Sequence, residues 1–248
     1  MQLGPQVRTR GDGDVLPSVR MTANLNSLLA GAQTVEQAER AVRGADVAHH
    51  VLDPDGVLGL DPHDAATLDE ALDTLRHIEP QAWFLGLPAP GQLGPLRGPA
   101  ALNRAALEQG EVVVASSGGV ALVPLPVGRA VQWRAFAAER PFAPESPYDA
   151  ERRLSEVIIA VADALARLGV AAGTRPRDPV TPALAPGYSS RQRLTADRAA
   201  RLITACEVAL EDDGASISAY EMDRRRRELR QLLDAARGAL VSAVSWCR

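Results

Sequence analysis

The chain is predicted to adopt an α+β fold: a small mixed β-sheet with an antiparallel hairpin and meander at its core, then a C-terminal three-helix region. Three observations predict it. Residues 111–140, EVVVASSGGVALVPLPVGRAVQWRAFAAER, read as three short apolar strands broken by Gly-Gly and Pro-Val-Gly. Between 45 and 110, single apolar runs alternate with segments of helical period. After residue 140 the pattern changes to long amphipathic helices separated by Pro- and Gly-rich stretches. The expected division is therefore a sheet-containing part, 1–140, and a helical part, 141–248, which packs on the same core or forms its own.

The sheet is clearest at its centre. Residues 111–115 are β-branched and apolar, and Gly118-Gly119 supplies the positive φ that a tight hairpin turn demands. Residues 120–125 return. Pro124 has no N–H to donate, so the ladder with the first strand should fail there, giving a short or bulged hairpin. Residues 130–137 alternate, with Val131, Trp133 and Ala135 on one face and Gln132 and Arg134 on the other, as in a half-buried antiparallel strand.

Upstream, residues 15–21 read as a strand and Thr22 as the cap of a short helix to Ala30. Thr34 with Gln37 is a capping box for a helix that Gly44 stops. Residues 47–52 read as a strand and Asp53-Pro54-Asp55-Gly56 as a turn. Asp61-Pro62 has the chemistry of an N-cap with proline at N1, which predicts a helix over 61–79 with Leu68, Leu72, Leu75 and Ile78 inward. Residues 82–87, AWFLGL, fit a buried strand. Residues 88–99 hold four prolines and three glycines and cannot be regular, and 100–109 is helical, with Gly110 as its end.

Downstream, Ser146-Pro147-Tyr148-Asp149 opens a helix over 147–168 with Leu154, Val157, Ile158, Val161, Leu165 and Leu168 on one face. Residues 171–190 carry four prolines and predict a long mobile loop, with few large apolar anchors. A helix follows over 190–212 with Leu194, Leu202, Ile203, Cys206 and Ala209 inward. Ser218 with Glu221 caps a last helix to Trp246, with Leu229, Leu232, Leu233, Ala236, Leu240 and Val244 inward.

Composition excludes several chemistries. The chain has no lysine, which removes a P-loop lysine, Schiff-base chemistry and a Ser-Lys dyad. Its arginine, alanine and proline bias matches the coding of high-GC bacteria. A net charge of −4 argues against a whole-surface nucleic-acid or anionic-membrane binder. Two cysteines, Cys206 and Cys247, form no disulfide framework and no zinc motif, and are read as reduced thiols in cytoplasm. The N-terminal stretch has no apolar core of a signal peptide, and the longest uncharged run, 112–128, is too short to span a bilayer as a helix.

No motif specifies catalysis. His49, His50, Asp53, Asp55, Asp61, His63 and Asp64 are the densest set of possible metal ligands, but their spacing fits neither HExxH nor an EF-hand, and turn and cap chemistry accounts for the aspartates. No metal and no cofactor is expected. Ser116 and Ser117 sit in a hairpin turn without a G-x-S-x-G pattern. Residues 223–230, DRRRRELR, are the sharpest charge feature, and four successive arginines, 224–227, wrap a full helical turn. Flanking Glu221, Asp223 and Glu228 can pair with them, so a solvated face is the plain reading and an anion or acidic-partner site the functional one.

Two functions follow. The first is a soluble, non-catalytic protein acting by contact with a protein partner or its own copy through the C-terminal helices, with Leu229, Leu233, Leu240 and Val244 as the interface. The second is an enzyme or anionic small-ligand binder whose site lies at loop 88–99 beyond the strand end after Leu87, with Arg97, Asn103 and Arg104 facing the ligand. A pocket at that loop with converging Arg and Asn would favour the second. A flat apolar stripe on the last helix would favour the first.

Overall fold

The computed structural model describes residues 15–78, 80–168, 182–211 and 218–247. In chain order the elements are α1 (Pro17–Leu29), α2 (Val35–Arg43), β1 (His49–Leu52), β2 (Ala66–Thr67), α3 (Leu68–Arg76), β3 (Trp83–Gly86), α4 (Ala100–Gln109), β4 (Val112–Ala115), β5 (Gly119–Val127), β6 (Ala130–Ala138), α5 (Pro147–Leu168), α6 (Ser190–Glu211) and α7 (Ala219–Ser245). The six strands form one mixed sheet in the order β2-β1-β6-β5-β4-β3. Only β1 and β6 are parallel; every other pair is antiparallel. The fold class is the α+β class with a helical C-terminal region.

The β4–β5 hairpin is short, as Pro124 requires. Its register covers Val113↔Leu122 and Val114↔Ala121, and stops before the proline. Pairing of β5 with β6 runs unbroken from Gly119↔Ala138 to Val127↔Ala130, passing through Pro124↔Trp133 and Pro126↔Val131. The two prolines are two residues apart, so both lack their N–H on the same edge, the β4 side, where the ladder has already ended. Gly118 has φ +78, and a Cβ there would lie 2.8 Å from the backbone nitrogen of Arg140, so glycine is required at that turn.

Two apolar clusters cover the sheet and a third fills the helices. Met21 and Leu25 of α1, Ala38 and Val42 of α2, and Leu72 and Leu75 of α3 pack with Trp133, Leu122 and Val113 on one face. On the other, Leu102 and Ala106 of α4 pack with Phe84, Val112, Val114 and Val123. The third cluster joins Leu154 of α5, Ile203 and Cys206 of α6 and Leu233, Leu240 and Val244 of α7 to Val19 and Ala23 of α1 and Leu85 of β3. The helical part is thus docked on the sheet through α1 and the edge strand β3.

That edge is closed by side chains. β3 has β4 on one side only, so every second N–H and C=O faces outward. Asn26 Nδ2 donates to the Trp83 carbonyl at 2.8 Å, and its Oδ1 accepts from the Trp83 N–H at 2.7 Å. The Leu85 N–H donates to Ser245 Oγ at 3.0 Å. The last carbonyls of α7 are met in turn: Tyr188 Oη donates to Val244 O at 2.5 Å, Asn26 Nδ2 lies 3.2 Å from the same oxygen, and Gln192 donates to Trp246 O. One helix end and one sheet edge satisfy each other's leftover groups through the same few side chains.

Four expectations are corrected. Residues 15–21 are not a strand: α1 begins at Pro17, proline at N1, and Thr22 lies buried inside it rather than capping it. No helix starts at Asp61. The Asp61 carboxylate accepts the His63 N–H, residues 66–67 pair with β1, and α3 begins at Leu68 under a Thr67–Glu70 capping box. Leu194 is 70% exposed, not inward. The arginine run is not wholly solvated, for Arg225 is 4% exposed and Glu228 beside it is buried. In the stretch 171–190 two of the few apolar residues able to anchor it, Leu184 and Tyr188, are buried, and Arg193 donates to the carbonyls of Leu184 and Ala185. Residues 171–181 of that expected loop lie outside the described residues.

Candidate functional site

The densest buried polar constellation is structural. Arg20 of α1 reaches Asp46, whose Oδ2 lies 3.0 Å from His49 Nε2, and Trp133 Nε1 donates to His49 Nδ1 at 3.1 Å. Indole nitrogen only donates, so Nδ1 must be the acceptor and Nε2 carries the proton toward Asp46. The ring is therefore neutral, and burial holds its pKa below the ordinary value against the opposing pull of Asp46. Asp46 goes down as well: burial raises it, but the His49 hydrogen bond and the Arg20 charge outweigh burial. An Asp–His pair whose second ring nitrogen is held by tryptophan cannot serve as a general base.

The remaining sequence candidates for metal binding are spent locally. Asp53 accepts the N–H groups of Val57, Leu58 and Leu60 at 2.7, 2.8 and 3.1 Å, which shapes the loop after β1. Among the described residues no group of three or more His, Cys, Asp or Glu side chains could hold a metal ion. Ser116 Oγ accepts the Ala82 N–H at 3.0 Å and belongs to the hairpin. Burial pushes the Cys206 thiol up to about 11, so it stays protonated within the helical core.

A groove of about 810 Å³ opens where the two parts of the chain meet. One wall is the Pro/Gly loop beyond β3, with Leu87, Gln92, Gly94 and Pro95. A second is the linker 142–145 with Arg153 and Val157 of α5. The third is one face of α7: Arg227, Arg230, Gln231, Asp234, Ala235, Gly238 and Val241, with Arg237 beside them. The α7 residues recur at intervals of three and four, so one stripe of the helix lines four turns of groove. Gly238 gives Arg153 its room, since a Cβ there would come within 2.4 Å of the guanidinium.

The walls are fastened together. The Phe142 N–H donates to Pro95 O at 2.9 Å, and the Glu139 N–H to Gly98 O at 3.0 Å, which ties the loop to the linker. Gln92 Nε2 donates to Asp234 Oδ2 at 3.0 Å, which ties it to α7. Four arginines face two carboxylates in the lining, on a chain whose net charge is −4. Arg153 pairs with Glu145 at 3.1 Å and Arg237 with Glu207 at 3.2 Å. Arg227 shares only the exposed Asp223, at 3.1 Å. The Arg230 guanidinium has no ion pair or hydrogen bond among the described residues. Positive potential is thus concentrated at the Arg227–Arg230 end, and the floor toward Leu87, Val157 and Val241 is apolar.

The loop at 88–99 does border a pocket with converging arginines, but they are not the ones the sequence suggested. Arg97 is exposed and stacks over the Phe142 ring at 4.7 Å. Asn103 is half-buried on α4 with its Oδ1 unpartnered, and Arg104 is exposed on that helix; none of the three lines the groove. Leu229, Leu233, Leu240 and Val244 are all buried in the chain's own core. Arg153 and Arg237 were missed as site residues, whereas Arg227 and Arg230 lie in the charged run 223–230 weighed as an anion or acidic-partner site. The available signal was the i, i+3, i+7, i+10 recurrence of charge at 227, 230, 234 and 237 along one face of α7, hidden by reading the arginines as one consecutive block.

Comparison with protein families places both halves of the chain. The Rv1486c-like protein, N-terminal domain, matches residues 18–148, and the Rv1486c-like protein, C-terminal domain, matches residues 148–241. Neither a curated protein nor a solved structure matches. The chain belongs to the Rv1486c-like family.

Proposed function

We propose that this Rv1486c-like protein is a non-catalytic binding protein that takes an anionic ligand in the groove between loop 88–99, α5 and α7. The observation that carries the reading is Arg230, a guanidinium with no ion pair among the described residues, beside Arg227 at one end of an apolar-floored cleft. An arginine fork presents planar donors that match a carboxylate or phosphate, and unlike lysine it holds its charge at any physiological pH. The lining residues include no serine, threonine, cysteine, histidine or tyrosine, and their two carboxylates are engaged, Glu145 with Arg153 and Asp234 with Gln92, which supports recognition rather than chemistry.

Native mass spectrometry of the protein isolated from its own cells, beside an Arg227→Glu/Arg230→Glu variant, tests this. The expected result is an additional retained mass on the wild type that the variant has lost. Equal masses, bare or loaded, for both proteins would overturn the reading. Among the described residues no helix is long and apolar enough to cross a membrane. A cytoplasmic location belongs to this proposal, as does a protein partner or second copy as the source of the ligand.

A further inference from the structure

We infer that the ligand is an extended acidic segment of a partner protein, seated with a carboxylate between Arg227 and Arg230 and with apolar side chains on the floor beyond. The inference rests on the anionic-ligand reading above and names the occupant. Shape supports it first. From Arg227 to Val241 the α7 wall runs fourteen residues, about 21 Å at the helical rise. An extended chain covers that length with about six residues at 3.3–3.4 Å each. A compact metabolite would fill one end and leave the rest of the slot to water.

Charge supports it second, and sets the polarity. The Arg153 and Arg237 end is paired with Glu145 and Glu207, whereas at the other end Arg230 has no ion pair among the described residues. The apolar part of the lining is Leu87, Phe142, Val157, Ala235 and Val241, and Phe142 is 60% exposed beside the groove. An occupant that is acidic at one end and apolar behind it satisfies every part of this lining. A uniformly charged polyanion would bury charge against the apolar floor, which is costly. Gln92 and Asp234 bridge the walls and offer an amide and a carboxylate to the passing backbone.

A random dodecapeptide display library, panned on the full-length protein and on Arg227→Glu/Arg230→Glu, tests the inference. Both arginines stand on the solvent side of α7, and the variant's melting temperature, matched to wild type, confirms that it folds. Enrichment on the wild type of peptides with Asp or Glu next to two or more apolar residues is expected. A synthetic representative should lose at least tenfold in affinity on Arg230→Gln, and similarly when its acid is replaced by the amide. Arg104→Glu, on α4 outside the groove, should leave its affinity unchanged. Enriched peptides without acids, acidic peptides that bind the variant equally, or no enrichment at all would overturn the inference. A small-molecule mass lost with the two arginines in native mass spectrometry would overturn it while leaving the anionic-ligand reading standing.

Discussion

His49 has both ring nitrogens engaged, by Trp133 and by Asp46, and the consequence is a pH dependence of stability. Its folded pKa lies below the unfolded value of about 6.5, so the unfolded chain takes up a proton first as pH falls. The stability this contributes is complete above about pH 6.5 and declines as pH drops toward the folded pKa. Asp46, also lowered, adds a loss in the same direction in the carboxylate range. Urea unfolding should therefore give a free energy that falls between pH 7.5 and 5, and His49→Gln should flatten that slope. An unchanged slope in the variant would place the proton uptake elsewhere. Asn26 carries a second residue-scale prediction. Asn26→Ala orphans the Trp83 N–H and C=O and removes donors from the end of α7. With about 1–3 kcal/mol for each buried group left unpaired, the loss should be about 3 kcal/mol or more by chemical denaturation. Asn26 could not be identified from the chain, because it meets partners 57 and 218 positions away and a lone buried amide leaves no local pattern; His49 stood out only as a possible metal ligand, since Trp133 lies 84 positions away.

At the scale of elements, what is local was legible. The Thr34–Gln37 and Ser218–Glu221 boxes fix the starts of α2 and α7, since each closes within one turn. The Asp61-Pro62 pair offered equally good start chemistry, but two residues of strand pairing with β1 claimed the chain before a helix could begin. Helix α1 was legible only in its second half, for the opposite reason. It is covered on several sides, and Ser18, Thr22, Asn24, Asn26 and Ser27 are buried, so no clean apolar stripe exists to be read. In α6 the face bearing Leu202, Ile203, Cys206 and Ala209 was read correctly, and only Leu194 near the helix start falls outside it. Leu233→Ala and Leu240→Ala should each cost about 2–5 kcal/mol, and Leu194→Ala less than about 0.5 kcal/mol. Equal effects at all three positions would mean that α7 is not packed as described.

At the scale of the molecule, α7 is shared by both parts of the chain: it packs on α5 and α6, and its end closes the β3 edge. Removing residues 230–248 should lower the melting temperature sharply, and an unchanged value would show that the helix is undocked. The place of the groove was readable, because a Pro/Gly loop following a buried strand marks a strand end where ligands gather. Its arginines were not, because α5 and α7 bring them from 50 or more positions downstream of that loop. The central claim, that an anionic ligand occupies this groove, is tested most directly by amide hydrogen exchange. Protein fresh from its own cells would be compared with the same protein after a wash at high salt, which screens the arginine contacts. Occupancy of the groove predicts slower exchange before the wash in α7 over 227–241 and in the loop over 88–96, with the rest of the chain alike. Identical exchange at both walls, or protection confined to the sheet face bearing His50, Gln132 and Leu125, would contradict it.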